Sequence, residues 1–363
     1  MKEVGIYVHI PFCASKCKYC SFFSTVNFSM QDAYVKALTG EIESGKTDDL
    51  ITSVYVGGGT PSVLKTGHLT TIFNKIRANF NLSADCEITV EANPESVSEQ
   101  FLQECKTSGV NRLSLGLQCA DDQILFSIGR GHKTEDFISA VSKARSYGID
   151  NISGDLIIGL ENEDDAVIIR SLQLLDSLGI DHVSVYSLSV EKGSVMFSKP
   201  YRPDEDKMAD QYDSCCEFLR KAGYERYEIS NFAKNGKQSR HNNKYWKLID
   251  YIGFGASAHS CYNGVRYANV SSISKYINGE RRVDSQTLTE EDCKTEYVML
   301  GLRLSDGISL GEYEKRFGCD LLEDKKKQIE MLTKSEAVEI VGDRLRVTDK
   351  GAYVLNYIIT ELI

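Results

Sequence analysis

The 363 residues carry 42% apolar and 26% charged side chains, values of an ordinary soluble chain long enough for one large core and a smaller domain. A formal net charge of −10 disfavours a nucleic-acid backbone as the main partner. No run approaches the length that spans a bilayer, and Lys2 and Glu3 lead into a strand-like segment rather than a signal peptide, so a cytoplasmic location is expected.

The first predicted strand is the apolar segment Gly5 to Ile10. Directly after it and Pro11 come Cys13, Cys17 and Cys20, spaced C-x-x-x-C-x-x-C. Three thiolates from one tight loop can hold an iron-sulfur cube and leave one iron free for a small molecule. Half of a structural zinc site and plain buried thiols are the competing readings, but no second C-x-x-C pair exists to complete a zinc site. The other cysteines, among them Cys86, Cys105, Cys119, Cys215 and Cys216, are scattered and read as reduced structural thiols.

Further along, short β-branched runs recur at Ser53 to Val56, Glu87 to Glu91, Arg112 to Leu117, Ile152 to Ile158 and His182 to Leu188. Amphipathic stretches at Asp32 to Ser44, Ser98 to Ser108, Thr134 to Tyr147, Asp165 to Leu178 and Asp204 to Ala222 alternate with them, several ending at a glycine (Gly109, Gly148, Gly179, Gly223). This rhythm predicts a parallel sheet of βα units over residues 1–225. The unusual residues follow the strands: the cysteines, Gly57-Gly-Gly-Thr-Pro61, Glu91-Ala-Asn-Pro94, Gln118 and Asp155. Ligands collect at the carboxyl ends of parallel strands, so these residues are expected to converge on one mouth.

From 226 to 285 the chain turns to a mixed region rich in Asn, Tyr and Gly. Residues 286–363 read as a small α+β domain: a helix over Thr289 to Leu304, another opening at Gly307 to Leu310, a hairpin over Val338 to Val347 turning at Gly342-Asp343, and a last helix to Ile363. Helices followed by a two-stranded wing suggest a winged-helix-like unit. The lysines at 325–327 sit among acids and read as a solvated face, so nucleic-acid binding is not expected.

At the predicted mouth, Glu91, Gln118, Arg130 and Asp155 add two carboxylates, an amide and a guanidinium, a set able to hold a ligand with an ammonium, a carboxylate and ribose hydroxyls. The Gly57 to Pro61 turn lets backbone amides approach such a ligand. Tyr7-Val-His-Ile-Pro-Phe-Cys13 with Cys17 and Cys20, Gly57-Gly-Gly-Thr-Pro61, Glu91-Ala-Asn-Pro94 and Gly129-Arg-Gly-His132 together resemble the radical S-adenosylmethionine (SAM) superfamily. Within it, the resemblance covers essentially the whole chain and is to the group of oxygen-independent coproporphyrinogen III oxidase and HemW-type heme chaperones.

The resemblance implies a partial (β/α)6 TIM-like barrel with the winged-helix-like domain behind it. It also implies a [4Fe-4S] cluster on Cys13, Cys17 and Cys20, with SAM chelating the open iron among Tyr7, Tyr19, Gly58, Gly59, Thr60, Glu91, Gln118, Arg130 and Asp155. Two features favour the chaperone side. Phe22 stands where the oxidase has a further cysteine, and His241-Asn-Asn-Lys-Tyr-Trp246 resembles the H-N-x-x-Y-W heme-binding signature. His241, Asn242, Tyr245 and Trp246 are then expected to bind heme, with His9, His132 and His259 as competing ligands. Implied partners are heme, heme-accepting proteins such as respiratory enzymes, and an electron donor, and a homodimer is compatible with the reading. Whether the chain also acts as an enzyme, decarboxylating coproporphyrinogen III, stays open at this point. One departure is Glu161, which stands where relatives commonly carry proline.

Overall fold

The computed structural model describes residues 1–363. Six strands pair in parallel in chain order: β1 (Glu3–Ile10), β2 (Thr47–Gly58), β3 (Phe80–Ala92), β4 (Arg112–Gln118), β5 (Asn151–Ile158) and β6 (His182–Ser187). The crossovers carry α1 (Gln31–Ser44), α2 (His68–Asn79), α3 (Glu99–Thr107), α4 (Asp122–Ser127), α5 (Thr134–Ser146) and α6 (Asp165–Ser177), with α7 (Glu205–Lys221) after the last strand. The expected partial barrel is present, and the match in element order includes every strand read from the sequence. Helix α2 and the short α4 escaped that reading. In α2 the run His68-Leu-Thr-Thr-Ile-Phe has no side-chain cap: its N-cap is Gly67, in a left-handed conformation.

The strands keep a period of two even though both faces are covered. On β1, Val4, Ile6, Val8 and Ile10 are fully buried toward the helices, in a core of 53 residues. The alternate residues, Gly5, Tyr7 and His9, point into the barrel, as do Ser53 and Tyr55 on β2, Glu87 and Glu91 on β3, Arg112 and Ser114 on β4, and Asp155 on β5. Burying branched side chains against helices provides the stability, at about 25 cal/mol for each Å² removed from water. The barrel interior is left polar, and a polar interior is where chemistry or ligand binding can be housed.

The region from 226 to 285 extends the same sheet, which reaches twelve strands. Beyond β6 lie the antiparallel β7 (Glu225–Arg226) and β8 (Asn231–Ala233), followed by α8 (Arg240–Trp246). At the other edge β9 (Tyr251–Phe254) runs parallel to β1, and β10 (His259–Tyr262), β11 (Val265–Asn269), α9 (Ile273–Ile277) and β12 (Arg282–Thr287) continue it. No sequence periodicity announced these short strands, because their pairing partners lie far away in the chain.

A second core of 14 buried residues belongs to α10 (Glu290–Gly301), β13 (Ile308–Ser309), α11 (Leu310–Phe317), α12 (Leu321–Asp324), α13 (Lys326–Lys334), β14 (Val338–Val341), β15 (Arg344–Val347), α14 (Asp349–Ala352) and α15 (Leu355–Leu362). The hairpin turns at Gly342-Asp343 as read from the sequence, and β13 adds a third strand on the β15 edge. Two expectations are corrected. The first helix stops at Gly301, because Leu304 leaves to bridge Glu228, and the terminal helix is broken at Tyr353 and Val354. No helix is long and apolar enough to cross a membrane.

Candidate functional site

The cysteine loop leaves β1 at Ile10 and is closed on itself, Thr25 N–H donating to Pro11 O (2.7 Å) and Cys13 N–H to Thr25 O (3.0 Å). The Cys13, Cys17 and Cys20 thiols are free and half-buried on this loop. Thr60 Oγ1 donates to Cys13 Sγ (3.5 Å) and Arg130 Nη1 to Cys17 Sγ (3.7 Å). These two contacts orient the Cys13 and Cys17 sulfurs on the loop. Burial raises the pKa of the Cys20 thiol.

The glycine turn after β2 clamps this loop from beneath. Gly59 N–H donates to Ile10 O and Thr60 N–H to Phe12 O, both at 2.8 Å. A Cβ on Gly59 would lie 2.6 Å from Ile10 O, and one on Gly58, whose φ is +104°, 2.3 Å from His9 Nδ1. Only residues without a side chain fit here. Arg130, carried on the turn after α4, also donates to Gly116 O (2.8 Å), and Tyr19 packs beside Arg130 and Cys17. Burial works against the Arg130 charge, but the Tyr19 phenol and Cys17 sulfur outweigh it and its pKa is raised. Gln118 has a left-handed backbone, φ +69°, and its amide shares with the Arg130 guanidinium the space that a Cβ on Gly116 would fill.

Deeper in, Glu91 accepts from Tyr55 OH (2.7 Å) and Gly58 N–H (3.1 Å), yet burial pushes its carboxyl up to about 7. Asp155 accepts from Ser184 (2.7 Å), Ser114 (2.9 Å) and Ser153 (3.3 Å), and burial raises its pKa as well. Two buried carboxyl groups in a walled opening are placed to receive a cation. Tyr7 sits lower, its hydroxyl on His9 Nδ1 (3.0 Å) and its ring 6.3 Å from that of Tyr55. His9 also meets Phe23 O through Nε2 (2.9 Å), and burial lowers its pKa to about 4. His132 is buried on Leu117 O, likewise held near 4 by burial and by Arg130.

Apart from Tyr7 and Asp155, which sit mid-strand and face the barrel interior, the residues named from the sequence for the cofactor site gather at the carboxyl ends of the strands. Reading the sequence named His9 only as a competing heme ligand and missed Tyr55 and Gly116, which were within reach, since they alternate with the outward apolar residues of their strands.

The segment from His241 to Trp246 is elsewhere. It forms α8, which plugs the amino-terminal end of the barrel, opposite the cysteines. Glu87 fixes it there by accepting from Arg240 N–H and His241 N–H (3.1 Å each), a carboxylate at a helix amino terminus. The His241 ring is buried, with Nδ1 on Ser53 Oγ (2.9 Å) and Nε2 on Tyr245 OH (2.8 Å), and it stacks on Tyr55 at 5.2 Å. Burial lowers its pKa to about 3, so it stays neutral. Neither ring nitrogen is free for iron. Tyr245 packs edge-on against Tyr251 (4.6 Å), and the Trp246 indole N–H is buried without a partner.

Residues 7–175 match the radical SAM superfamily, and residues 288–354 the HemN C-terminal domain. The chain is 33% identical to the heme chaperone HemW of Lactococcus lactis subsp. lactis, covering 100% of this chain and 98% of that protein. The chain belongs to the HemW family of radical SAM proteins. Its likeness to the Bacillus subtilis heme chaperone HemW is 36% identity over 87% of each chain. The solved structure of coproporphyrinogen III oxidase (HemN) from Escherichia coli, a radical SAM enzyme, superposes with a TM-score of 0.88 over 99% of this chain and 90% of that one. At 23% identity that agreement speaks for the shared fold.

Radical SAM membership implies SAM and a [4Fe-4S] cluster. The donor set fits them: three half-buried thiols on one loop, two of them receiving hydrogen-bond donors, beside a glycine-lined backbone and buried carboxylates.

Proposed function

We propose that this chain is a heme chaperone: it binds heme and passes it to heme-dependent proteins such as respiratory enzymes, in the cytoplasm, under the control of a [4Fe-4S] cluster and SAM. The observation that carries the reading is the full-length similarity to proteins named heme chaperones, with Phe22 in place of a fourth loop cysteine. In this reading Cys13, Cys17 and Cys20 hold three irons of the cluster, Glu91 and Asp155 face the ammonium and ribose of SAM, and Arg130 with Gln118 faces its carboxylate. Gly58, Gly59 and Thr60 supply the backbone against which SAM lies, and Tyr7 and Tyr19 wall the site. When bound, the cluster supplies a one-electron centre with an open iron, and an electron donor partner is implied.

We assign the barrel to residues 1–225, the sheet extension with α8 to 226–285 and the winged-helix-like domain to 286–363. The His241–Trp246 segment contributes to heme handling through the barrel floor. His241 stacks on Tyr55, and Tyr55 donates to Glu91, so the floor is tied to the mouth through two side chains. Direct contact between heme and His241 requires α8 to withdraw from Ser53, whereas Asn242 and Trp246 are partly exposed.

The test is transfer. Heme-loaded, anaerobically reconstituted protein should hand heme to an apo heme-dependent respiratory enzyme and restore its activity. Failure to bind or transfer heme, or formation of protoporphyrinogen from coproporphyrinogen III with SAM and a reductant, overturns the reading in favour of the oxidase.

A further inference from the structure

A protein that carries heme needs a side chain to meet the iron, and a histidine is a common axial ligand. Of the six histidines, His259 alone is exposed. His9, His132, His182 and His241 are buried on hydrogen-bond partners, and His68 lies on α2, outside the barrel, paired with Asp32 (3.0 Å).

The fold places His259 at the opening. Residues 255–258 run past the end of β1, where the Gly255 Cα lies so close to His9 O that a Cβ would stand 2.6 Å from it. His259 then begins β10. Paired residues of adjacent strands share a face, and residues two apart on one strand do too. Cys261 pairs with Tyr251, and Tyr251 pairs with the inward Gly5, so His259 is on the barrel-interior face of the sheet. Four residues before it, Gly255 packs on His9, whose ring sits against Phe23 of the cysteine loop. Beside Phe23, that loop exposes Phe22 at 69% and Val26 at 58%, large apolar side chains with nothing of this chain covering them. An exposed imidazole on the interior face of the sheet, at the barrel end that also carries uncovered apolar side chains, suits a flat apolar ligand with a metal at its centre.

We propose that His259 is the axial ligand to heme iron, with the porphyrin lying at the cysteine-bearing end of the barrel against Phe22. This rests on the heme-chaperone reading and deepens it: it moves the iron from the buried His241 to the mouth, where cluster and SAM control can act on it directly.

The test is a hemin titration of the anaerobically reconstituted full chain, comparing wild type with His259→Ala and His259→Cys. Wild type is expected to give the Soret band of nitrogen-ligated iron. His259→Ala should bind hemin about tenfold or more weakly, with a shifted Soret band that added imidazole restores. His259→Cys should move the band to a thiolate position. Cluster absorbance and the thermal midpoint should be unchanged in both variants, because the residue is exposed. Equal affinity and an unshifted band in His259→Ala overturn the ligand assignment and leave heme binding intact. Absence of hemin binding by wild type overturns the chaperone reading and the ligand with it.

Discussion

Glu91→Gln probes the mouth most directly, because the same substitution should strengthen the empty protein and weaken its hold on SAM. The folded carboxyl titrates near 7 against an ordinary value of 4.5. A raised folded pKa means that the native state holds the proton more tightly, so stability is fullest below about 4.5 and falls as pH rises through about 7. The shift of roughly 2.5 units at 1.36 kcal/mol each sets a ceiling of ~3.4 kcal/mol on what the ionised group costs. Glu91 keeps some water access at the opening, so the actual cost lies below that ceiling. Glutamine never ionises, but its NH2 faces either Tyr55 OH or Gly58 N–H and forfeits one hydrogen bond, about 1 kcal/mol. The cofactor-free variant should therefore be about 1–2 kcal/mol more stable than wild type at pH 8. That advantage should shrink to nothing or reverse near pH 5. Shifted groups that do not interact with Glu91, such as His9 and His132, are common to both proteins and cancel in the difference. SAM affinity should fall by about 10–100-fold, the worth of one charge-assisted hydrogen bond. Urea unfolding across this pH range and calorimetric SAM titration measure both effects. Parallel stability profiles in the two proteins would refute the claim that the folded state raises the proton affinity of Glu91.

Tyr55→Phe removes a donor that lowers the Glu91 pKa, so the pH midpoint of SAM binding should move upward while the His241 stack survives; a pH series of titrations reads the shift. Gly58→Ala forces a side chain into a left-handed backbone and against the His9 ring, and thermal unfolding should show a loss of about 3 kcal/mol or more together with weaker cluster incorporation. Leu345→Ala opens the fully buried centre of the 14-residue core and should cost about 2–5 kcal/mol. Calorimetry should then show the C-terminal domain melting early while cluster absorbance at Cys13, Cys17 and Cys20 persists. Replacing Arg130 with lysine deletes the fork that meets both Cys17 Sγ and Gly116 O; SAM binding should weaken about tenfold, read by the same calorimetry, with little change in fold by circular dichroism.

Much of the barrel was legible because its signals are local. Branched residues alternate on each strand, glycine follows the helices, and the three cysteines fall within one loop, so neighbouring residues alone carry the information. The short strands β9 to β12 and the break before α15 were not legible, since four to six residues carry too little pattern to compete with a partner that the sequence does not reveal. Helix α2 was lost for another reason: it begins at a glycine without a side-chain cap, where no start signal exists.

Ligand type and spacing are properties of a loop, so the residues expected to serve iron, sulfur and SAM could be picked out from neighbouring positions alone. Where the histidines went depended on how distant segments pack. His241 reaches Ser53 across 188 positions and is sealed beneath the barrel by Tyr55, while His259, in an undistinguished strand, is left open at the top. Burial and hydrogen bonding depend on contacts between distant segments, and these contacts decide whether an imidazole is free to meet a metal.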